Sequence, residues 1–376
     1  MTLYNIVMAK IFSFSRKPDY FLFTVFFVLV IFGLVILDSA SSSIGKAKFN
    51  DTYYYLKRQI LYGVLPGILG FLIAYFFPYQ KYKKLALFFL LINIFLLVLV
   101  KFSPLGVSAG GASRWLRLGP ISFQPSELLK ITYIIYISAW LSNTRINRTG
   151  DFIKGFLPVV IISGIIGVLL YIQPATSIIF ILIGSGTILY FIGGVRWKYF
   201  IIFALFAVIG LSVFLYLDNG YRFKRIIAFL DPSKDIYGSA YHLNQALITI
   251  GSGGWTGLGF GQSTTKSKTL PEPIGDSIFA VMAQELGFVG AVTLIALLMM
   301  LVWRIFYLSF KTKDKFGQLI LIGFGLIISI QSIVHIGVLI RLLPPTGVPL
   351  PFVSYGGTAL AVFMTMMGIA LNVSKR

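Results

Sequence analysis

Residues 270–290 read LPEPIGDSIFAVMAQELGFVG, a turn that runs straight into a long apolar helix. The opening Leu270-Pro271-Glu272-Pro273-Ile274-Gly275 breaks regular structure, and Asp276 and Ser277 follow it at the helix entrance. Asp276 falls where an N-cap or first-turn residue sits, a favourable place for a carboxylate facing free backbone N–H groups. Capping is the common reason for an Asp there. The sharper reading is chemical. A single acid stands at the mouth of a membrane helix, behind a loop carrying Lys266, Lys268 and Glu272.

The composition says what surrounds this stretch. Of 376 residues, 57% are hydrophobic and 12% charged, which is far from a soluble domain. Apolar runs of about 18 or more residues recur, the signature of a polytopic helical membrane protein. No large soluble domain fits between them. The absence of cysteine excludes disulfides, zinc thiolates and thiol nucleophiles. His242 and His335 are the only histidines, so a His-based metal cluster is not expected. The net charge of +20 belongs to cytoplasmic loops and anionic lipid rather than to nucleic acid. The apolar run at 20–37 is too long for a cleavable signal and is expected to stay.

Ten spans are expected, at about 19–39, 58–77, 84–102, 123–142, 153–172, 175–194, 198–217, 277–303, 317–341 and 353–373. The chain is therefore read as an all-α membrane protein, one polytopic domain over 1–376 with a long extracytoplasmic loop at 218–275. Orientation follows from the basic residues. Lys10, Arg16 and Lys17 precede the first span, and Lys81, Lys83 and Lys84 separate the second and third. Arg145, Arg148 and Lys154 follow the fourth, and Arg196 and Lys198 precede the seventh. Arg304, Lys311, Lys313 and Lys315 follow the eighth, and Lys375 and Arg376 end the chain. All fall on one side, which places both termini in the cytoplasm.

The other side has its own clustered cations: Arg114 and Arg117 before the fourth span, and Arg222, Lys224, Arg225, Lys234, Lys266 and Lys268 in the long loop. Long loops cross a membrane largely regardless of charge. These residues make either a plain solvated loop or an outward-facing site for a phosphorylated ligand. Within the loop, residues 241–250 have helical apolar spacing with a polar face, expected to lie at the interface. The glycines from Gly251 to Gly261 keep the following chain tightly turned. Their N–H groups could meet phosphate, but a compact folded loop is the default.

Glu127 and Lys130 stand three apart in the fourth span, share a helix face and can pair. Ionisable residues inside a span tend to mark function; a structural pair near the membrane surface is the bland alternative. Residues 347–357, GVPLPFVSYGG, form a turn entering the last span, just after Arg341. Irregular chain at that depth is tolerated where it packs in protein or lines a cavity. Gln173-Pro174 makes a tight hairpin, with Pro174 opening the next helix.

Glu285 is the other acid at this end of the eighth span. Nine residues of helix put it on the face opposite Asp276, about 13 Å along the axis. The two cannot form a glycosidase pair. Glycosyl transfer from a lipid diphosphate needs less: one base for the acceptor hydroxyl, and cations for a leaving group that already departs well. A carrier for an anionic lipid would match the same charges.

Five stretches carry a resemblance: GASRWL at 111–116, FQPSELLK at 123–130, and the segments 245–254, 270–287 and 349–357. Together they resemble the SEDS family (shape, elongation, division and sporulation), membrane glycosyltransferases that polymerise peptidoglycan from lipid II. The resemblance covers nearly the whole chain. It implies that Asp276 falls on the family's essential acid, and Glu127 and Lys130 on its functional pair. Two positions depart from the family pattern. Ala175 stands where an Asp usually follows the Gln-Pro hairpin, and Gln284 where Glu-Glu-Leu-Gly is usual. The run 261–272 is more similar to the division branch, FtsW, than to the elongation branch, RodA.

The expected site thus has Asp276 as the catalytic base and substrate contacts at Arg114, Arg117, Glu127, Lys130, Lys266, Glu272 and Ser354, with a divalent cation (Mg or Mn) as a candidate helper. The expected partners are undecaprenyl-linked lipid II, a class B penicillin-binding protein transpeptidase and other membrane proteins of the divisome or elongasome. The resemblance implies the bacterial plasma membrane, with the site facing outward. A lipid II flippase and a scaffold for the transpeptidase are the rival readings. A flippase would place its ionisable groups near the midplane, whereas here they crowd toward the outer side.

Overall fold

A computed structural model describes residues 17–109, 112–119, 121–143, 151–217, 229–231, 238–266 and 269–375. Lys10, Arg16, Gly111, Arg145, Arg148, Arg222, Lys224, Arg225, Lys234, Lys268 and Arg376, used above for orientation, the outer cationic cluster or the resemblance, lie outside these residues.

The long apolar runs form helices α1 (Tyr20–Phe49), α2 (Tyr54–Phe76) and α3 (Tyr79–Phe102). Three short strands follow, β1 (Gly106–Ala109), β2 (Ala112–Leu118) and β3 (Ile121–Phe123). Then come α4 (Pro125–Leu141), α5 (Phe152–Ile172), α6 (Thr176–Ile192), α7 (Trp197–Leu217), α8 (Ser239–Ser252), α9 (Ile278–Lys311), α10 (Lys315–Leu339) and α11 (Gly357–Ser374). Each of the ten segments expected to be a span falls on one of these helices. Seven of them, α1, α2, α3, α5, α9, α10 and α11, are long and apolar enough to cross a membrane. The protein is a multi-pass membrane protein.

Local chemistry explains the helix ends. Asp19 accepts from the Leu22 N–H at 2.8 Å and caps α1. Pro125 stands in the first turn of α4, where its missing N–H has no consequence. Two wide π turns, Ile60–Val64 in α2 and Phe152–Phe156 in α5, come just before Pro66 and Pro158 and loosen the ladder where a proline cannot donate.

The basic helix ends meet at one end of the bundle. Arg304 grips both oxygens of Asp19, whose N–H donates to Ser374. Lys83 reaches the carbonyl of Ser142, and Lys315 that of Gly193. At the opposite end, Lys266 meets Ser39, Gln173 meets Leu97, and Gln59 meets Gly356. Of the seven long apolar helices, α10 and α11 are the most enclosed, and α2 lies along α11.

Two features depart from the sequence reading. The segment before α4 is a three-stranded antiparallel sheet in the order β1-β2-β3, not a plain loop. Leu116 of β2 pairs with Gly106 and with Phe123, and Arg117 with Ser122. The register of β1 on β2 shifts between Val107 and Ser108, so that Arg114 falls in a bulge between the paired Ser113 and Trp115.

The other departure is in α9, which is broken at Gly287 (φ 66°, ψ −165°). An extended piece of the preceding loop enters the break. Leu258 and Gly259 donate to the carbonyls of Gln284 and Glu285, at 3.0 and 3.1 Å. Phe288 and Val289 donate in turn to the carbonyls of Gly254 and Trp255. Those two carbonyls and two N–H groups would have bonded each other in a straight helix. The approach requires glycine on both sides. A Cβ at Gly257 would lie 2.1 Å from the Glu285 carbonyl oxygen, and one at Gly287 2.3 Å from the Gly257 nitrogen. The N–H groups of Leu258 and Gly259 are therefore taken up by the helix and do not face a phosphate.

Candidate functional site

Asp276 does not cap α9. The helix begins at Ile278, Ser277 takes the cap position, and Asp276 sits one residue earlier in the turn. Asp276 is half-buried there and lines an open cavity of about 390 Å³ including its mouth. The cavity is lined by His242 from α8, His335 and Val338 from α10, Asp276, and the segment Pro345, Thr346, Gly347 and Val348. A Cβ on Gly347 would lie 3.1 Å from Asp276 Oδ2.

The segment from Pro345 to Pro349 forms a strap across the cavity, and side chains from several elements hold it. Ser177 of α6 donates to the Thr346 carbonyl, two residues from Ala175. His335 Nδ1 lies 2.6 Å from the Val348 carbonyl oxygen, and Gln331 Nε2 donates to the Pro349 carbonyl at 2.7 Å. The motif that follows the strap is fastened to the Asp276 turn. Tyr355 N–H donates to the Ile274 carbonyl at 2.9 Å, and Ser354 Oγ donates to the Gly275 carbonyl at 2.8 Å. Ser354 Oγ also accepts from the Leu350 N–H. The Ser354 hydroxyl is buried and used internally, so its place is to position the turn rather than to meet a ligand.

Glu127 and Lys130 pair as their spacing requires, at 2.7 Å and fully buried. Lys130 Nζ also donates to Gln331 Oε1 at 2.8 Å and lies 5.1 Å above the Phe363 ring. Gln331 then bonds the strap, and His335 stands one turn further along α10, about 6 Å away. The pair thus lies beneath the cavity and reaches it through Gln331, not by opening onto it.

Among the described residues, the cations expected around Asp276 have other partners or places. Lys266 is buried and bonds Glu285 at 2.8 Å, with the carbonyls of Ser39 and Gly261 as further partners. Glu285 lies where the helix geometry put it, away from Asp276 and against α1, and it draws Lys266 with it. Arg114 donates to the carbonyls of Gln173 and Pro174 and pins the sheet to the hairpin between α5 and α6. Pro174 itself lies in that hairpin, ahead of the first residue of α6. Arg117 is exposed. Glu272 is exposed, and its carbonyl accepts from Gly275 and Ser277 within the turn.

Among the described residues, both histidines line the cavity with Asp276. Sequence reasoning counted them only as too few for a metal cluster. The available signal was their position, His242 on the helix before the Gly-rich loop and His335 ahead of the Pro/Gly-rich turn. Among the described residues no group of three or more His, Asp or Glu is placed to hold a metal ion. The described residues thus offer no ready ligand set for the divalent cation expected as a helper.

The family model described as "Cell cycle protein" (FtsW, RodA and SpoVE) matches residues 19–376. The chain belongs to this family. Stage V sporulation protein E of Bacillus subtilis (strain 168) is 34% identical over 361 residues, 96% of this chain and 98% of that protein. A probable peptidoglycan glycosyltransferase FtsW of Wigglesworthia glossinidia brevipalpis is 36% identical over 97% of this chain and 94% of its own length. Among solved structures, a chain of a peptidoglycan synthase complex that coordinates polymerization and crosslinking superposes with a TM-score of 0.77 at 26% identity, covering 95% of this chain and 98% of that one. The rod shape determining protein RodA of Thermus thermophilus superposes with a TM-score of 0.68 at 25% identity, covering 95% and 97%. Membership in the FtsW, RodA and SpoVE family accounts for the helical order.

Proposed function

We propose that the chain is an inverting peptidoglycan glycosyltransferase that polymerises lipid II into β-1,4 glycan strands, working as one membrane unit over residues 1–376. The observation that carries the reading is the half-buried Asp276 carboxylate, held in an open cavity by a strap anchored on several helices. A lone base at an accessible, preorganised site is what transfer from a lipid diphosphate demands.

Asp276 takes the proton of the 4-hydroxyl on the N-acetylglucosamine of lipid II. The oxygen attacks the anomeric carbon of the growing strand, the bond to the undecaprenyl diphosphate breaks, and that group leaves with the bonding electrons. Attack from the face opposite the leaving group inverts the configuration. Among the described residues, Arg117 is the expected cation with an exposed side chain to meet the diphosphate. Arg114 and Lys130 act by holding the walls of the site, and Lys266 acts away from it, on Glu285.

The relatives named peptidoglycan glycosyltransferase FtsW support a role in division. The place is the outer face of a bacterial plasma membrane, and the likeness to a synthase complex supports a class B penicillin-binding protein transpeptidase as partner. A flippase fits less well, because the ionisable pair inside α4 is closed on itself. The test is polymerisation of lipid II by the purified protein, alone and with a transpeptidase. Wild type makes strands, and Asp276→Asn makes none while remaining folded. Transport without polymer would support the flippase instead.

A further inference from the structure

One buried polar atom takes no part in that mechanism. His335 is 2% exposed, and its Nε2 has no hydrogen-bond partner. The ring is fixed from behind. Its Nδ1 lies 2.6 Å from the Val348 carbonyl oxygen, which can only accept, so Nδ1 carries the proton. A neutral imidazole protonated at Nδ1 presents a bare lone pair at Nε2. The same residue lines the cavity of Asp276.

His242 is fixed in the opposite sense. Ser277 Oγ donates to the Pro271 carbonyl at 2.7 Å, so the 2.7 Å contact between Ser277 Oγ and His242 Nε2 needs the histidine to donate. The two histidines are therefore not alike. His242 holds the Asp276 turn, while His335 keeps an unused acceptor beside the base.

We propose that His335 Nε2 binds the acceptor sugar: it takes a hydrogen bond from a hydroxyl or acetamido N–H of the sugar that Asp276 deprotonates, and so orients it. The inference rests on the glycosyltransferase reading and deepens it. Sugar hydroxyls and amide N–H groups can donate to a lone pair. An ionised diphosphate has no proton to give, and its oxygens would face Nε2 lone pair to lone pair. The Asp276–His335 end of the cavity therefore takes the sugar, and the diphosphate lies away from it.

Two substitutions separate this role from that of a strut for the strap. Asn at 335 can keep the N–H bond to the Val348 carbonyl but ends there, whereas Gln reaches the position of Nε2 with an acceptor oxygen. Lipid II polymerisation by the purified full chain should show His335→Asn with KM raised about tenfold, the usual effect of one lost hydrogen bond, and kcat changed less. His335→Gln should stay within about threefold of wild type. If His335→Asn matches wild type in KM and kcat while Asp276→Asn is dead, His335 is only a strut and the inference is wrong. Equal impairment of the Asn and Gln variants would overturn it as well. Polymer from Asp276→Asn would sink the glycosyltransferase reading itself, and the inference with it.

Discussion

Gly347 approaches the Asp276 carboxylate so closely that a Cβ at position 347 would lie 3.1 Å from Oδ2. The residue also has φ +65°, a conformation that L side chains adopt only at a cost. The strap therefore meets the proposed base as bare main chain.

Gly347→Ala should combine backbone strain of about 1–2 kcal/mol with crowding of the carboxylate. We expect a modest fall in melting temperature and a larger fall in polymerisation, about tenfold or more, since a displaced catalytic group loses rate steeply. Thermal unfolding in detergent and initial rates on lipid II check both. A variant that folds and polymerises like wild type would show that this approach has no functional weight.

Asp276→Asn should lower turnover by about 10⁴-fold, the upper end of the range for a lost general base, which leaves no detectable polymer. Asp276→Glu lengthens the side chain against Gly347, so it should recover only part of that loss. Full activity in the Glu variant would mean that the cavity has more room than the contact at Gly347 implies.

Lys130→Met should destabilise the fold by about 3–5 kcal/mol, because it leaves Glu127 charged and buried without its partner. The double variant Glu127→Gln with Lys130→Met removes both charges and should recover much of that loss. Melting temperatures of the two proteins decide between them. Equal destabilisation would mean that the link from Lys130 to Gln331 matters more than the charge.

Gly257→Ala forces a Cβ to within 2.1 Å of the Glu285 carbonyl oxygen, so the loop must leave the break in α9. The N–H groups of Phe288 and Val289 then lose their acceptors. Hydrogen exchange should show faster exchange at both amides, with melting lowered by about 2 kcal/mol equivalent or more. Unchanged protection at these amides would argue against the close packing.

The sequence carries the helices because each is a local pattern. The run at 20–37 and the Glu127–Lys130 spacing need no knowledge of distant residues. The three strands were missed because the alternation in Ala112-Ser113-Arg114-Trp115-Leu116-Arg117-Leu118 is brief and lay in a stretch read as connection between spans. The break at Gly287 was illegible for another reason. One glycine in an apolar helix is ordinary, and what opens the helix is a segment from elsewhere in the chain. Asp276 stands out in the sequence, but its surroundings do not. Lys266 lies near Asp276 in sequence, yet Glu285 offered it a buried carboxylate and took it away. His242 and His335 converge only through tertiary packing of α8 on α10.

The exchange of main-chain bonds between the 254–259 segment and α9 also bears on how the protein is made. An apolar helix enters lipid readily only when its amides are satisfied within itself. Phe288 and Val289 instead depend on Gly254 and Trp255, which leave the ribosome before them. The receptor for the second half of α9 is thus synthesised ahead of its guest, and the two must dock as a late step of assembly. A side chain at Gly257, which would keep the segment out of the break, should therefore behave in the cell as a biogenesis defect, lowering the amount of protein before it lowers the activity of what remains.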